Sequence, residues 1–196
     1  KSRFELLSAL PFAKRQELEK ASKSYSTSIV NLLLDEEAQL YLSKWKEPKF
    51  KTNEDGEFNF TFIDLFAGIG GFRMALQELG GSCVFTSEWE KQAQETYFEN
   101  FGDIPYGDIT RDETKGAIPE QFDVLCAGFP CQAFSIAGKR GGFEDTRGTL
   151  FFDVAEIIKR HQPKAVFLEN VKGLVNHRSG KTLATILNVL RNDLGY

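Results

Sequence analysis

The residues with the most chemical potential lie in short clusters far apart in the chain. The first is Phe66-Ala67-Gly68-Ile69-Gly70-Gly71-Phe72, which follows the apolar run FTFIDLF and precedes a stretch with helical spacing. Gly68, Gly70 and Gly71 therefore sit at a strand-to-helix turn, where glycine lets the backbone bend sharply and approach a ligand. Twenty residues after Gly68, at the end of the next strand-like run, stands Glu88. A carboxylate there can accept both hydroxyls of a ribose, so loop, strand and acid together imply an adenosine-containing cofactor, without saying which one. The dinucleotide fingerprint needs a third glycine at position 73, where Arg73 stands, so a standard NAD loop is a poor match. Ser179-Gly180-Lys181-Thr182 is not a phosphate-binding Walker loop either, because its earlier glycine would fall at Val175. That segment reads as a helix start.

The second cluster is AGFPCQAFSIAGKRGGFEDTRG, a long polar, glycine-rich stretch after another strand-like run. Cys131 within it would stand at the carboxyl end of a parallel strand, where open α/β sheets bind ligands. Pro130 fixes the backbone before it, and Lys139, Arg140 and Arg147 offer positive charge for phosphates. The third cluster ends the apolar run KAVFLENV, which delivers Glu169 and Asn170 one strand over from the thiol. A nucleophile and an acid facing one pocket form a catalytic constellation. A zinc deaminase would need a second cysteine where Phe134 stands and a His-x-Glu, which neither His161 nor His177 supplies. The two histidines read as surface or helix-end residues, and no metal is expected. Cys83 and Cys126 fall inside strand-like runs and are expected to be buried, apolar cysteines.

These clusters need a scaffold. The 196 residues carry 24 Lys+Arg against 28 Asp+Glu, a net charge of -4, and 41% are hydrophobic, enough for one full domain with a short appendage. Collagen-like, disordered and disulfide-scaffold classes are excluded by this composition, and three cysteines without metal spacing suit a reducing compartment. No apolar run is long enough to span a membrane, and the first residues lack a secretory signal, so a cytoplasmic protein is expected. The first residue is Lys rather than Met, and the chain is expected to be part of something longer.

Composition shifts near residue 57. Upstream, residues 11 to 22 and 28 to 45 have helical spacing, the second with Val30, Leu33, Leu34, Ala38, Tyr41, Leu42 and Trp45 on one stripe. Residues 1 to 57 are expected to be a helical extension and linker that packs on the domain, in preference to a helix-turn-helix operator reader. From residue 58, strand-like runs (FTFIDLF, CVFTSEW, the region of Ile104 to Asp108, FDVLCAGF, KAVFLENV) alternate with helical ones (GFRMALQEL, KQAQETYFENF, TLFFDVAEIIKRH, KTLATILNVLRNDLG). The alternation predicts an α/β fold: a largely parallel, Rossmann-like sheet with helices on both faces.

DLFAGIGGF, SEW, GDIT, GFPCQAFS and ENV, in that order and spacing, resemble the cytosine-5 DNA methyltransferases, most nearly the bacterial restriction-modification enzymes of the HhaI type. The similarity covers residues 59 to 196 and leaves the first 57 aside. It implies an S-adenosyl-L-methionine-dependent methyltransferase fold, with S-adenosyl-L-homocysteine as product and double-stranded DNA as partner. By this resemblance Phe66 stacks on the adenine, Gly68 and Gly70 shape the turn, and Ile69 and Gly71 hold the methionine end. Glu88 takes the ribose, Trp89 contacts the cofactor, Asp108 and Ile109 meet the adenine edge, and Pro130 and Leu150 complete that pocket. Cys131 resembles the nucleophile that adds to carbon 6 of a flipped-out cytosine, and Glu169 the acid at ring nitrogen 3. Phe129, Gln132, Ser135 and Arg147 match positions near the base or the DNA.

The family's later Arg motif, target-recognition domain and carboxyl-terminal segment have no counterpart in these residues, so residues 58 to 196 are expected to be the amino-terminal part of a catalytic domain. The rest is expected from a carboxyl-terminal part or a complementary subunit, and this stretch alone is not expected to methylate DNA. A tRNA-modifying branch shares the chemistry, and a non-catalytic DNA- or partner-binding paralogue is the alternative from another class. Retention of Cys131 and Glu169 argues against the latter.

Overall fold

The computed structural model describes Ser8 and residues 48–50, 58–130 and 150–196. The helical stretches expected between residues 11 and 45 lie outside them, as does most of the extension. Four strands, β1 (Phe60–Leu65), β2 (Gly81–Ser87), β3 (Val124–Gly128) and β4 (Ala165–Glu169), form one sheet in the order β2-β1-β3-β4, every pair parallel. From β1 the chain goes to one side to build β2, then returns to the other side for β3. The connections therefore diverge between the carboxyl ends of β1 and β3, which opens a crevice there.

Side chains alternate across the strands and give the sheet two different faces. Ile63 and Leu65 of β1, Phe85 of β2 and Leu125 and Ala127 of β3 join one apolar core with Phe151, Val154, Ala155, Ile157 and Ile158. Those last residues recur at helical spacing on α4 (Leu150–His161), which covers that face together with Ile186 of α5 (Lys181–Asn188). The opposite face carries Asp64 and Thr86, directly paired across β1 and β2. It lies under α1 (Gly71–Glu78) and α2 (Lys91–Phe101), whose Arg73 and Tyr97 interact with these polar side chains. The expected parallel α/β architecture with helices on both faces is what the chain adopts.

One expected strand does not form. Around Ile104 to Asp108 the chain makes only an isolated parallel bridge, Ser87 to Tyr106. Pro105 has no N–H to give a ladder and Gly107 has no side chain to pack, so pairing stops after one step. Short pieces that periodicity does not reveal also appear, α3 (Asp112–Gly116) and a 3-10 turn at Lys172–Asn176, while the helical run expected from Lys181 continues past α5 as a π-helical turn at Val189–Asp193. Asp123 ties the sheet's lower edge, with Oδ2 accepting from the Thr61 amide at 2.8 Å and Oδ1 meeting Lys164 Nζ at 2.7 Å. No helix among the described residues is long and apolar enough to cross a membrane.

Candidate active site

The glycine turn after β1 is built as its sequence demands. Phe66, Gly68 and Gly70 all have positive φ, at 57°, 56° and 94°. Gly70 is doubly constrained, because a Cβ there would stand 2.1 Å from the Phe101 ring. At Gly68 and Gly71, in contrast, no atom lies within 4 Å of the point a Cβ would take, which leaves open space beside the loop. Ile69 and Trp89 are exposed at its rim, Trp89 by 75%. Phe66 is half-buried against the main core.

Glu88, just past β2, is buried and reaches back to this loop. Its Oε2 accepts from the Gly68 amide at 2.9 Å and its Oε1 from the Glu90 amide at 2.8 Å. Its own amide donates to the Tyr106 carbonyl at 2.8 Å, and the Gln94 side chain donates to its carbonyl. The carboxylate is thus fixed in place with one acceptor site used on each oxygen, and an ionised carboxylate has about four. Two sites remain for a pair of hydroxyls, which fits a ribose. Asp108 Oδ1 accepts from both the amide (2.9 Å) and the hydroxyl (2.8 Å) of Thr110. Ile109 turns its side chain into the core, so only its backbone can meet a ligand. Leu150, at the start of α4, packs half-buried on the same core.

Beneath the loop lies a buried acid, the first residue of DLFAGIGGF, to which neither spacing nor resemblance assigns a role. Asp64 in β1 is fully buried, and burial pushes its carboxyl up to about 7, against the pull of the Arg73 guanidinium and amide. Arg73, which the glycine spacing marks only as a missing glycine, is 1% exposed. Its guanidinium meets Gln77 Oε1 at 2.7 Å, the Tyr97 hydroxyl at 3.0 Å and Asp103 Oδ2 at 2.5 Å, and lies over the Phe101 ring. An arginine therefore occupies the room that close helix–strand packing would fill in a dinucleotide fold. Cys126 is buried as expected whereas Cys83 is only half-buried, and desolvation pushes both thiols up to about 12, so neither is a thiolate at neutral pH.

On the other side of the crevice, β3 and β4 pair in register with Gly128 opposite Glu169. Glu169 Oε2 stands 3.4 Å from the Cβ position of Gly128, and Phe72 in the first turn of α1 approaches the same point. The acid therefore lies beside the helix that the glycine loop begins. Asn170 Nδ2 donates to the Phe129 carbonyl at 2.6 Å, and its Oδ1 accepts from the Val171 amide at 3.0 Å. This fixes the chain at Phe129, which is buried, and at exposed Pro130 just before the cysteine. Cys131, Gln132, Ser135 and Arg147, with Lys139 and Arg140, lie outside the described residues.

A sequence profile of the C-5 cytosine-specific DNA methylases matches residues 60–196. The chain belongs to that family. It is 72% identical over 166 residues to the Type II methyltransferase M.HpaII of Haemophilus parainfluenzae, covering 85% of this chain and 45% of that protein. It is 58% identical over 135 residues to M.HhaI of Haemophilus parahaemolyticus, covering 69% of this chain and 40% of that one. It therefore spans less than half the length of these relatives.

Among the described residues of this methylase chain, no group of three or more His, Cys, Asp or Glu side chains is placed to hold a metal ion. His161 ends α4 with Nδ1 3.3 Å from the Glu120 carbonyl, and His177 Nδ1 lies 2.7 Å from the Thr182 hydroxyl. Gly180 begins α5 with φ 81°, the helix start expected there. Asn100 and Gln94 also escape sequence reading. A lone amide on a polar helix face carries no periodic signal.

Proposed function

We propose that the protein is a DNA cytosine-5 methyltransferase acting on a cytosine flipped out of double-stranded DNA, with Cys131 as nucleophile and Glu169 as acid. The observation that carries this reading is the pairing of Gly128 with Glu169, which sets the acid beside the strand that enters Phe129-Pro130-Cys131, at the crevice that the glycine loop shares. The match of residues 60–196 to the C-5 cytosine-specific DNA methylases supports the substrate. Donor binding falls to Phe66, Gly68 to Gly71, Glu88, Trp89, Asp108, the Ile109 backbone, Pro130 and Leu150. The open space at Gly68 and Gly71 and the free acceptor sites of Glu88 fit S-adenosylmethionine. When bound, that donor supplies a methyl group made electrophilic by a sulfonium.

Carbon 5 of cytosine is too weak a nucleophile to accept a methyl group unaided. Addition of the Cys131 thiolate to carbon 6 forms a carbon–sulfur bond and turns the ring into an enamine that is nucleophilic at carbon 5. Glu169 holds a proton at ring nitrogen 3, where negative charge would otherwise build. Once carbon 5 carries the methyl group, a base takes its proton. The electron pair left behind expels the thiolate and restores aromaticity. None of this fits inside a stacked duplex, so the base is extruded at a cost of a few kcal/mol, recovered by pocket contacts. Gln132, Ser135 and Arg147 are assigned to the DNA side of that pocket, and the Phe129 backbone to the base. Residues 58–196 then form the amino-terminal part of the catalytic domain, and reading of a target sequence is assigned to parts beyond them.

Incubation of the full-length protein with methyl-labelled donor and duplex DNA tests the proposal. The expected product is 5-methylcytosine, and Cys131→Ser abolishes it. Label on adenine, on the cytosine amino group, or at carbon 5 without Cys131 would overturn it.

A further inference from the structure

The last turn of α2 joins two things that are far apart in sequence: the tip of the glycine loop and the segment by which the chain enters the domain. We infer that Asn100 is a positioning residue for the cofactor loop, coupling it to Pro48–Phe50. The inference rests on the cofactor reading proposed above.

The loop's amides are held from within and from β2: Ala67 N–H by the Ser87 carbonyl (3.0 Å), Gly68 N–H by Glu88 (2.9 Å), and Gly70 N–H by the Ala67 carbonyl (2.9 Å). The carbonyl at the tip, Ile69, is held from outside by Asn100 Nδ2 at 3.0 Å, across 31 residues of sequence. The Ile69–Gly70 peptide is thus pinned at both its N–H and its C=O. Its side chain gives no anchorage, because Ile69 is 58% exposed. Below the tip, the Phe101 ring fills the place a Gly70 side chain would take, and Arg73 lies over that ring with its guanidinium 4.7 Å from the centroid.

The same turn receives the incoming chain. A helix end leaves its last carbonyls without intrahelical partners. Here the Glu99 carbonyl accepts from the Lys49 amide at 3.3 Å and the Asn100 carbonyl from the Phe50 amide at 2.9 Å. Phe50 packs on Phe101 with centroids 5.6 Å apart, and Pro48 abuts Gly102, which has the positive φ of 80° that ends the helix. Asn100 is therefore bonded through its main chain to the entering segment and through its side chain to the loop tip. A peptide flip at Ile69 would break both bonds that pin the Ile69–Gly70 peptide and reshape the backbone beside the open space at Gly68 and Gly71, and Asn100 opposes that flip.

Asn100→Asp keeps the shape and replaces the donor with an oxygen facing the Ile69 carbonyl. In the full-length protein, S-adenosylhomocysteine binding by calorimetry should weaken roughly three- to tenfold, the size of one hydrogen bond. KM for the methyl donor should rise more than kcat falls. Ligand-free thermal unfolding should stay close to wild type, and Phe50→Ala should shift binding in the same direction by less. Wild-type binding matched within twofold by Asn100→Asp would overturn the inference alone, as would a loss of stability with affinity intact in the folded fraction. No binding by wild type would overturn the cofactor reading and this inference with it.

Discussion

The two walls of the crevice are built differently. On the β1–β2 side three parts of the site are cross-braced: Glu88 by four hydrogen bonds, the loop tip by Asn100, and the helix start by buried Arg73. On the β3–β4 side the strand that delivers Glu169 alternates between exposed and half-buried residues, and Phe167 is 61% exposed. Among the described residues its contacts to the rest of the site include Phe167 on the Phe72 edge at 5.7 Å and Asn170 on the Phe129 carbonyl. A small donor molecule is best met by a preorganised pocket, which lowers the cost of ordering it. A base that must leave its duplex and enter needs a wall open to large partners. On the function proposed above, binding falls to one wall and chemistry to the other.

The sharpest way to break that division is to exchange effects across it. Glu169→Gln should lower single-turnover methyl transfer by about 100-fold or more, the usual range for a lost acid, while donor affinity changes less than twofold. Equal losses in both would place Glu169 on the binding wall. Glu88→Ala should do the reverse, weakening donor binding by roughly 100-fold or more through two lost charge-assisted hydrogen bonds. Calorimetry with S-adenosylhomocysteine measures it, and unchanged affinity would remove the ribose assignment.

A smaller effect sharpens the picture of the braced wall. The folded protein holds the Asp64 proton up to a pH of about 7, whereas the unfolded chain releases it near 3.8. Between those values the folded state binds more protons, so this group's contribution to stability falls as pH rises and is lost above about 7. Asp64→Asn should remove that slope. Urea unfolding at acid and alkaline pH should show wild type losing stability relative to the variant as pH rises. A difference that is constant with pH would mean the buried carboxyl is solvated or paired.

The braced wall is partly legible in the sequence. A glycine turn between a strand run and a helix run, with an acid twenty residues on, declares itself through spacing that backbone geometry enforces. Glu169 is legible for the same reason, since an apolar run ending in an acid puts that acid at the strand's carboxyl end. What stays hidden is local or long-range. Ile104 to Asp108 looks strand-like until Pro105 and Gly107 are weighed as ladder breakers. Asn100 and Asn170 find their partners 31 and 41 residues away, and lone half-buried amides announce no partner in sequence. Asp64 sits in an otherwise largely apolar run, and its charge state depends on burial and on Arg73, both supplied by packing from another element.

The central claim, a thiolate addition to cytosine by Cys131, is tested most directly by duplex DNA carrying 5-fluorocytosine at the target position. Fluorine at carbon 5 replaces the proton whose loss frees the enzyme, so the covalent complex cannot collapse. The full-length protein with methyl donor should give a denaturant-resistant complex whose cross-linked peptide contains Cys131, and Cys131→Ser should give none. A complex that persists in that variant, or methyl transfer to cytosine carbon 5 with no trapped complex at all, would contradict the account.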